Sequence, residues 1–118
     1  MSTAPALDHI ALTVPDLQGL VDRLTGDFGM VAQVRSDHFA LVTDPASGLS
    51  LELSPSADAQ AHFRHLGFRA DDVAATHETL VAAGMEDAVA PHRRDIARMV
   101  TSFLKASGGF EIQLVRYD

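Results

Sequence analysis

The stretch Asp8-His9-Ile10-Ala11-Leu12-Thr13-Val14-Pro15-Asp16-Leu17 reads as a strand running into a helix, and it returns in altered form 56 residues later as Arg64-His65-Leu66-Gly67-Phe68-Arg69-Ala70-Asp71-Asp72-Val73. In both copies a histidine opens the apolar run and an aspartate stands seven residues further on, followed by an aliphatic residue. Asp16 to Asp72, Leu17 to Val73 and Leu24 to Leu80 keep the same offset through the helix. Self-similarity at a fixed offset marks a repeated architecture, in which a single unit cannot bury its own apolar face.

Outward from this stretch, alternation sorts the first strand into two rows, Ile10, Leu12 and Val14 against His9, Ala11 and Thr13. Pro15 and Asp16 mark a helix start, Pro in the first turn and Asp as the cap. Leu17, Leu20, Val21, Leu24 and Phe28 recur at helical spacing up to a stop at Gly29. Met30 to Arg35 and Phe39 to Thr43 read as strands, and after the turn Asp44 to Gly48 the segment Leu49 to Ser54 alternates with period two. Its leucines join the core, which sends Glu52 to the face that carries His9. The second copy gives a strand over 62–69, a helix from Asp72 to Gly84, a short strand near Ala88-Val89-Ala90, a loop Pro91 to Asp95, and strands Met99 to Lys105 and Phe110 to Val115. The expected fold class is α+β, with two repeated βαβββ modules, 7–56 and 61–117, in one domain spanning 1–118. Matching Gly48 with Gly109 pairs Glu52 with Gln113 and puts five added residues of the second module into the loop around 91–98.

Nine Lys plus Arg against sixteen Asp plus Glu give a net charge of −7. That charge argues against nucleic acid as a partner. With no cysteine there is no disulfide framework and no thiolate chemistry. Met1-Ser2-Thr3-Ala4-Pro5 lacks a basic region followed by an apolar run, and no stretch approaches the roughly 18 apolar residues of a membrane span. No membrane association and a cytoplasmic location are the expectations.

The same alternation places Glu111, Gln113 and Val115 on the open face of the last strand, with Phe63, His65, Gly67 and Arg69 on that of the second-copy strand. Each module thus offers one pair to a common concavity, His9 with Glu52 and His65 with Gln113. Two imidazoles, a carboxylate and an amide carbonyl form a mixed N/O set suited to one divalent ion among Fe, Mn, Co, Ni or Zn. A strand histidine alone is more often a hydrogen-bonded structural residue, but the repeat pairs this one with another. A glutamate on an inward face calls for a cation or a functional site. Gln113 is the poorest ligand of the four, and Glu111 is its alternative if the register shifts. Arg93 and Arg94 read either as a solvated loop or as an anion-holding rim for the substrate. Phe63 shares the His65 face and is a candidate pocket wall, whereas Phe39 and Phe103 read as core. His77 reads as a helix boundary residue.

With these positions in place, the chain resembles the vicinal oxygen chelate superfamily, which includes glyoxalase I, bleomycin and fosfomycin resistance proteins, methylmalonyl-CoA epimerase and extradiol dioxygenases. The opening motif through Leu17, the junction Phe28-Gly29-Met30, the turn Asp44 to Gly48 with Glu52, and Ser107 to Leu114 carry the resemblance, over residues 7 to 117. It implies a glyoxalase-like fold, paired modules forming an incomplete mixed barrel around a divalent metal, with the site inside one chain or across a homodimer. It implies His9, Glu52, His65 and Gln113 as ligands and Glu52 as the catalytic base, the metal acting as Lewis acid. A small-molecule substrate with adjacent oxygens and a lyase or isomerase type of reaction follow. Gln113 stands where the extradiol pattern has glutamate, which places ring-cleaving dioxygenase chemistry second. A metal-free drug- or metabolite-binding protein of the same fold ranks third, because this chain has no Trp and keeps the ligand-type residues. Fold does not fix the reaction, since many chemistries share this scaffold.

Overall fold

A computed structural model of the protein describes residues 4–118. The reading of Met1, Ser2 and Thr3 as free of a leader lies outside the described residues. The element order is β1 (Ala6–Val14), α1 (Leu17–Gly26), β2 (Val31–Arg35), β3 (Ala40–Thr43), β4 (Ser50–Pro55), β5 (His62–Arg69), α2 (Val73–Ala82), β6 (Glu86–Arg94), β7 (Met99–Lys105) and β8 (Glu111–Tyr117), with 3₁₀ turns at Asp95–Ala97 and Ser107–Gly109. This is the α+β class with βαβββ written twice. Among the described residues no helix is long and apolar enough to cross a membrane. The described chain divides into two compact units, Asp8–Arg64 and His65–Asp118, the latter together with residues 4–7.

In the first unit the strands run in the order β2-β3-β4-β1. β4 lies parallel to β1, with Ala11 opposite Glu52 and Leu12 opposite Leu53, while β3 runs antiparallel to both β2 and β4. A parallel pair needs a crossover connection, and α1 supplies it. Leu17 and Val21 of α1 pack with Val14, Ala40, Val42 and Leu53, and Leu12, Leu20, Leu24 and Leu51 close around them. The apolar row of β1 therefore faces the helix, as alternation requires, and the row of His9 faces away.

The second unit repeats the plan as β5-β8-β7-β6. β8 is parallel to β5, with Gly67 opposite Gln113, and β7 is antiparallel to both β8 and β6. Ala70, Val73, Leu104 and Leu114 form its core, with Phe68, Leu80, Val81 and Met85 against them. The helix ends show the repeat in detail. Asp16 and Asp72 cap α1 and α2 by accepting the N–H of Gly19 and Ala75, each at 3.0 Å. At each exit a glycine takes positive φ, 70° at Gly29 and 111° at Gly84, a conformation glycine adopts without a Cβ clash. The following Met30 and Met85 then bond back to the carbonyls of Leu24 and Leu80.

Four expectations change. Pro15 precedes the cap instead of sitting in the first turn, because Asp16 itself is the cap. α1 ends at Gly26, three residues before Gly29, which belongs to the exit. The segment Pro91 to Asp95 is not a loop. β6 continues through Arg94, with His92, Arg93 and Arg94 opposite Thr101, Val100 and Met99. Its register breaks between Asp87 and Val89 and again between Val89 and His92. Bulges of this kind absorb extra residues and a proline, and charged side chains suit an exposed edge strand. Finally, His77 is buried; its spacing from Val73 puts it on the inward face of α2.

Candidate functional site

In the first unit the register alone brings two side chains together. Ala11 lies opposite Glu52 and His9 stands two residues before Ala11, so His9 and Glu52 are diagonal neighbours on the face away from α1. The His9 ring is 1% exposed, and its Nε2 is 3.0 Å from Glu52 Oε2. Its Nδ1 is 2.8 Å from Asp8 Oδ2. An imidazole this deeply buried between two carboxylates has both ring nitrogens committed. An Nδ1–H donated to Asp8 leaves Nε2 to share with Glu52 either a proton or a cation.

The donor set can be tested against a divalent ion by that separation. Two neighbouring ligands of an octahedral ion at roughly 2.1 Å stand roughly 3.0 Å apart, which is the His9–Glu52 distance. Nitrogen and carboxylate oxygen are ligands for the first-row metals expected from the sequence. The separation of the pair fits two ligands of such an ion.

The second unit repeats the diagonal. Gly67 lies opposite Gln113, and His65 stands two residues before Gly67. His65 is 7% and Gln113 5% exposed. Phe103 meets the His65 ring edge-on, with centroids 5.5 Å apart and planes at 86°. It is therefore a wall of the histidine and not merely core as the sequence reading had it. The amide of Gln113 donates from Nε2 to Thr101 Oγ1 at 2.9 Å, and the Thr101 hydroxyl donates to the Leu114 carbonyl at 2.7 Å.

The remaining expected residues are distributed more widely. Glu111 is half-buried and lies opposite Lys105. Phe63 sits near the start of β5 and is 45% exposed. Arg93 is held by carboxylates: Nε reaches Asp95 at 2.7 Å, while Nη1 and Nη2 grip both oxygens of Asp118. These hydrogen bonds, Asp118 first and then Asp95, raise the guanidinium above its ordinary range, and Arg93 holds the Asp118 carboxyl below the usual carboxylate range. Arg94 is exposed on β6.

Sequence reasoning passed over Asp8, Thr101 and one further constellation. His77 Nδ1 lies 2.8 Å from Ser102 Oγ and its Nε2 3.0 Å from Asp87 Oδ1. The order carboxylate, imidazole, hydroxyl imitates a hydrolase triad, but Ser102 is 0% exposed in a strand beneath α2, where no substrate carbonyl reaches it. The constellation ties α2 to β6 and β7. Asp8 had a signal in the sequence, a carboxylate beside the histidine at the head of an apolar strand. Thr101 had none.

Two diagonals of the same register, each headed by a buried histidine, define a repeated-module α+β protein with nitrogen and oxygen donors side by side in each module. The chain belongs to the Glyoxalase/Bleomycin resistance protein/Dioxygenase superfamily, whose family model matches residues 6–114. Similar solved structures include methylmalonyl-CoA epimerase from Mycobacterium tuberculosis, 23% identical with a TM-score of 0.77 over 96% of this chain and 88% of that one. A hypothetical protein from Bacillus halodurans is 13% identical at a TM-score of 0.75 over 98% and 96%. Streptomyces coelicolor methylmalonyl-CoA epimerase in complex with 2-nitronate-propionyl-CoA is 18% identical at 0.74 over 98% and 99%. At these identities the likeness is one of fold. A comparison with curated proteins gives no match.

Proposed function

We propose that the protein is a divalent-metal-dependent enzyme of this superfamily that moves a proton on a small substrate bearing adjacent oxygens. The observation that carries the reading is the pair of buried His9 and half-buried Glu52 at 3.0 Å, a spacing that serves two ligands of one ion. His9, Glu52, His65 and Gln113 would hold one ion of Fe, Mn, Co, Ni or Zn, with the two modules working as one domain. When bound, the ion supplies Lewis acidity that makes a proton beside a substrate carbonyl easier to remove.

Glu52 is the proton carrier in this reading. Its side chain is 27% exposed whereas His9 is 1% exposed, so the carboxylate is the member of the pair that a substrate can reach. A carboxylate that a substrate can reach can take a proton from carbon and return it, the balance an isomerisation requires. The epimerase neighbours favour this reaction class over oxygen chemistry, because epimerisation removes and restores one proton. Phe63, Glu111 and Arg94 are the substrate-side residues of the proposal. Arg93 contributes less, since three of its N–H groups already meet Asp95 and Asp118. The protein acts in the cytoplasm, as a homodimer, on a small molecule and not on nucleic acid or membrane.

The test is elemental analysis of protein purified without added metal, followed by metal titration of wild type, His9→Ala and His65→Ala. Wild type should bind about one equivalent of divalent metal per chain, and each variant should lose most of that affinity. Glu52→Gln should keep part of the metal affinity while exchange of a substrate carbon-bound proton with D₂O stops. Wild type that binds no divalent metal at micromolar concentration overturns the reading and puts a metal-free binding protein in its place.

A further inference from the structure

We propose that Thr101 is a positioning residue that fixes the amide of Gln113 with Oε1 as the end turned away from β7, and so makes position 113 select an amide over a carboxylate. The inference rests on the metal reading only for what Oε1 then serves.

A threonine hydroxyl has one proton and two lone pairs. The proton of Thr101 is committed to the Leu114 carbonyl at 2.7 Å, so towards Gln113 its oxygen can only accept. The group 2.9 Å away must therefore be the N–H of Gln113. An amide turned the other way would set its carbonyl oxygen against lone pairs. Thr101 is 0% and Gln113 5% exposed, which leaves little room for water to relieve such a clash. The two bonds thus form a one-way relay, from the Gln113 amide through Thr101 Oγ1 to Leu114 O, and its direction decides which end of Gln113 is presented.

The relay also bears on the residue type. A carboxylate at 113 has no N–H to give. Thr101 could serve it only by turning its proton away from the Leu114 carbonyl, which takes a bond from a buried backbone acceptor. Glutamine satisfies both partners, and its carbonyl oxygen is the end turned away from Thr101. Carbonyl oxygen is a weaker but legitimate ligand for the harder divalent ions, and a ligand amide whose far end is bonded is held in place, as partners behind a ligand commonly do.

The experiment compares wild type, Thr101→Val, Thr101→Ser and Gln113→Met, all stripped with chelator. Mn(II) affinity is read from the EPR signal of the free ion, and the Gln113 side-chain amide, identified by its loss in Gln113→Met, from ¹⁵N–¹H spectra. Thr101→Val should weaken Mn(II) binding about tenfold and shift the Gln113 amide pair, whereas Thr101→Ser, which keeps the hydroxyl, should stay within about threefold with the amide pair in place. Unshifted amide signals in Thr101→Val, or equal loss in Thr101→Ser, overturn the inference. If wild type binds no Mn(II), the metal reading fails while the amide signals still decide the role of Thr101. If Thr101→Val does not fold, wild type alone decides: a nuclear Overhauser contact between the Gln113 amide protons and the Thr101 methyl is expected, and its absence overturns the relay.

Discussion

Removing the Asp8 carboxylate should cost the proposed metal site more than its distance from the ion would indicate. Asp8 Oδ2 lies 2.8 Å from His9 Nδ1, inside the range of a charge-assisted bond, and the Asp8 side chain is 19% exposed, so solvent screens it only in part. A hydrogen bond to a charged group contributes about 1.5–3 kcal/mol against about 0.5–1.5 for a neutral one. Asp8→Ala deletes the whole interaction, a change of roughly 10- to 100-fold in the equilibrium that depends on the His9 orientation. This agrees with the usual effect of removing a group that orients a metal-bound histidine. Asp8→Asn keeps an acceptor but also brings an NH₂. If the oxygen stays on Nδ1 the loss is about 1 kcal/mol, or roughly fivefold. If the NH₂ turns inward the ring proton moves to Nε2 and the loss approaches that of His9→Ala. The assay is calorimetric titration of chelator-stripped protein with Mn(II) or Zn(II). An Asp8→Ala variant that binds within about twofold of wild type, while His9→Ala does not bind, refutes the argument that Asp8 orients the ring.

The His77 bridge should behave as a structural clamp. His77→Leu should destabilise the fold by about 2–4 kcal/mol, because it leaves the Ser102 hydroxyl buried without a partner while Asp87, 50% exposed, finds water. Adding Ser102→Ala should then recover about 1–2 kcal/mol in urea unfolding, and no recovery would place the loss in packing. The Arg93–Asp118 pair should show in the pH dependence. The Asp118 carboxyl is held below its ordinary value, chiefly by the hydrogen bond from Arg93, so its contribution is present above the ordinary aspartate pKa of about 3.9 and is lost as pH falls through the lower folded value. An NMR titration should find the Asp118 midpoint below that of an unperturbed aspartate and returned upward by Arg93→Ala. A midpoint that Arg93→Ala does not move excludes the clamp as its cause.

The fold and the first half of each diagonal were legible because both depend on periodicity. The repeat of His9 and His65, the caps Asp16 and Asp72, and the alternation that puts Glu52 and Gln113 on the histidine faces are properties of spacing, and spacing survives in a bare sequence. β6 was not legible as a full strand because its charges and Pro91 imitate a loop, although an edge strand with bulges accommodates both. Asp8 and Thr101 escaped for a different reason. Alternation says which face a side chain takes, but not which neighbour its polar atoms meet.

That distinction also accounts for the chemical inequality of two modules built alike. Leu41 of β3 lies opposite Glu52, and Phe103 of β7 lies opposite Gln113. Two residues before these partners stand Phe39 in the first module and Thr101 in the second. A phenylalanine side chain carries no hydrogen-bonding oxygen, and the carboxylate at position 52 stands 3.0 Å from His9 Nε2. Thr101 offers an acceptor whose proton is already given to Leu114, and that environment asks for an amide. In the proposed reaction the repeat supplies two equivalent diagonals, and the change from phenylalanine to threonine on the neighbouring strand divides their work, with position 52 as the proton carrier and position 113 as a neutral oxygen.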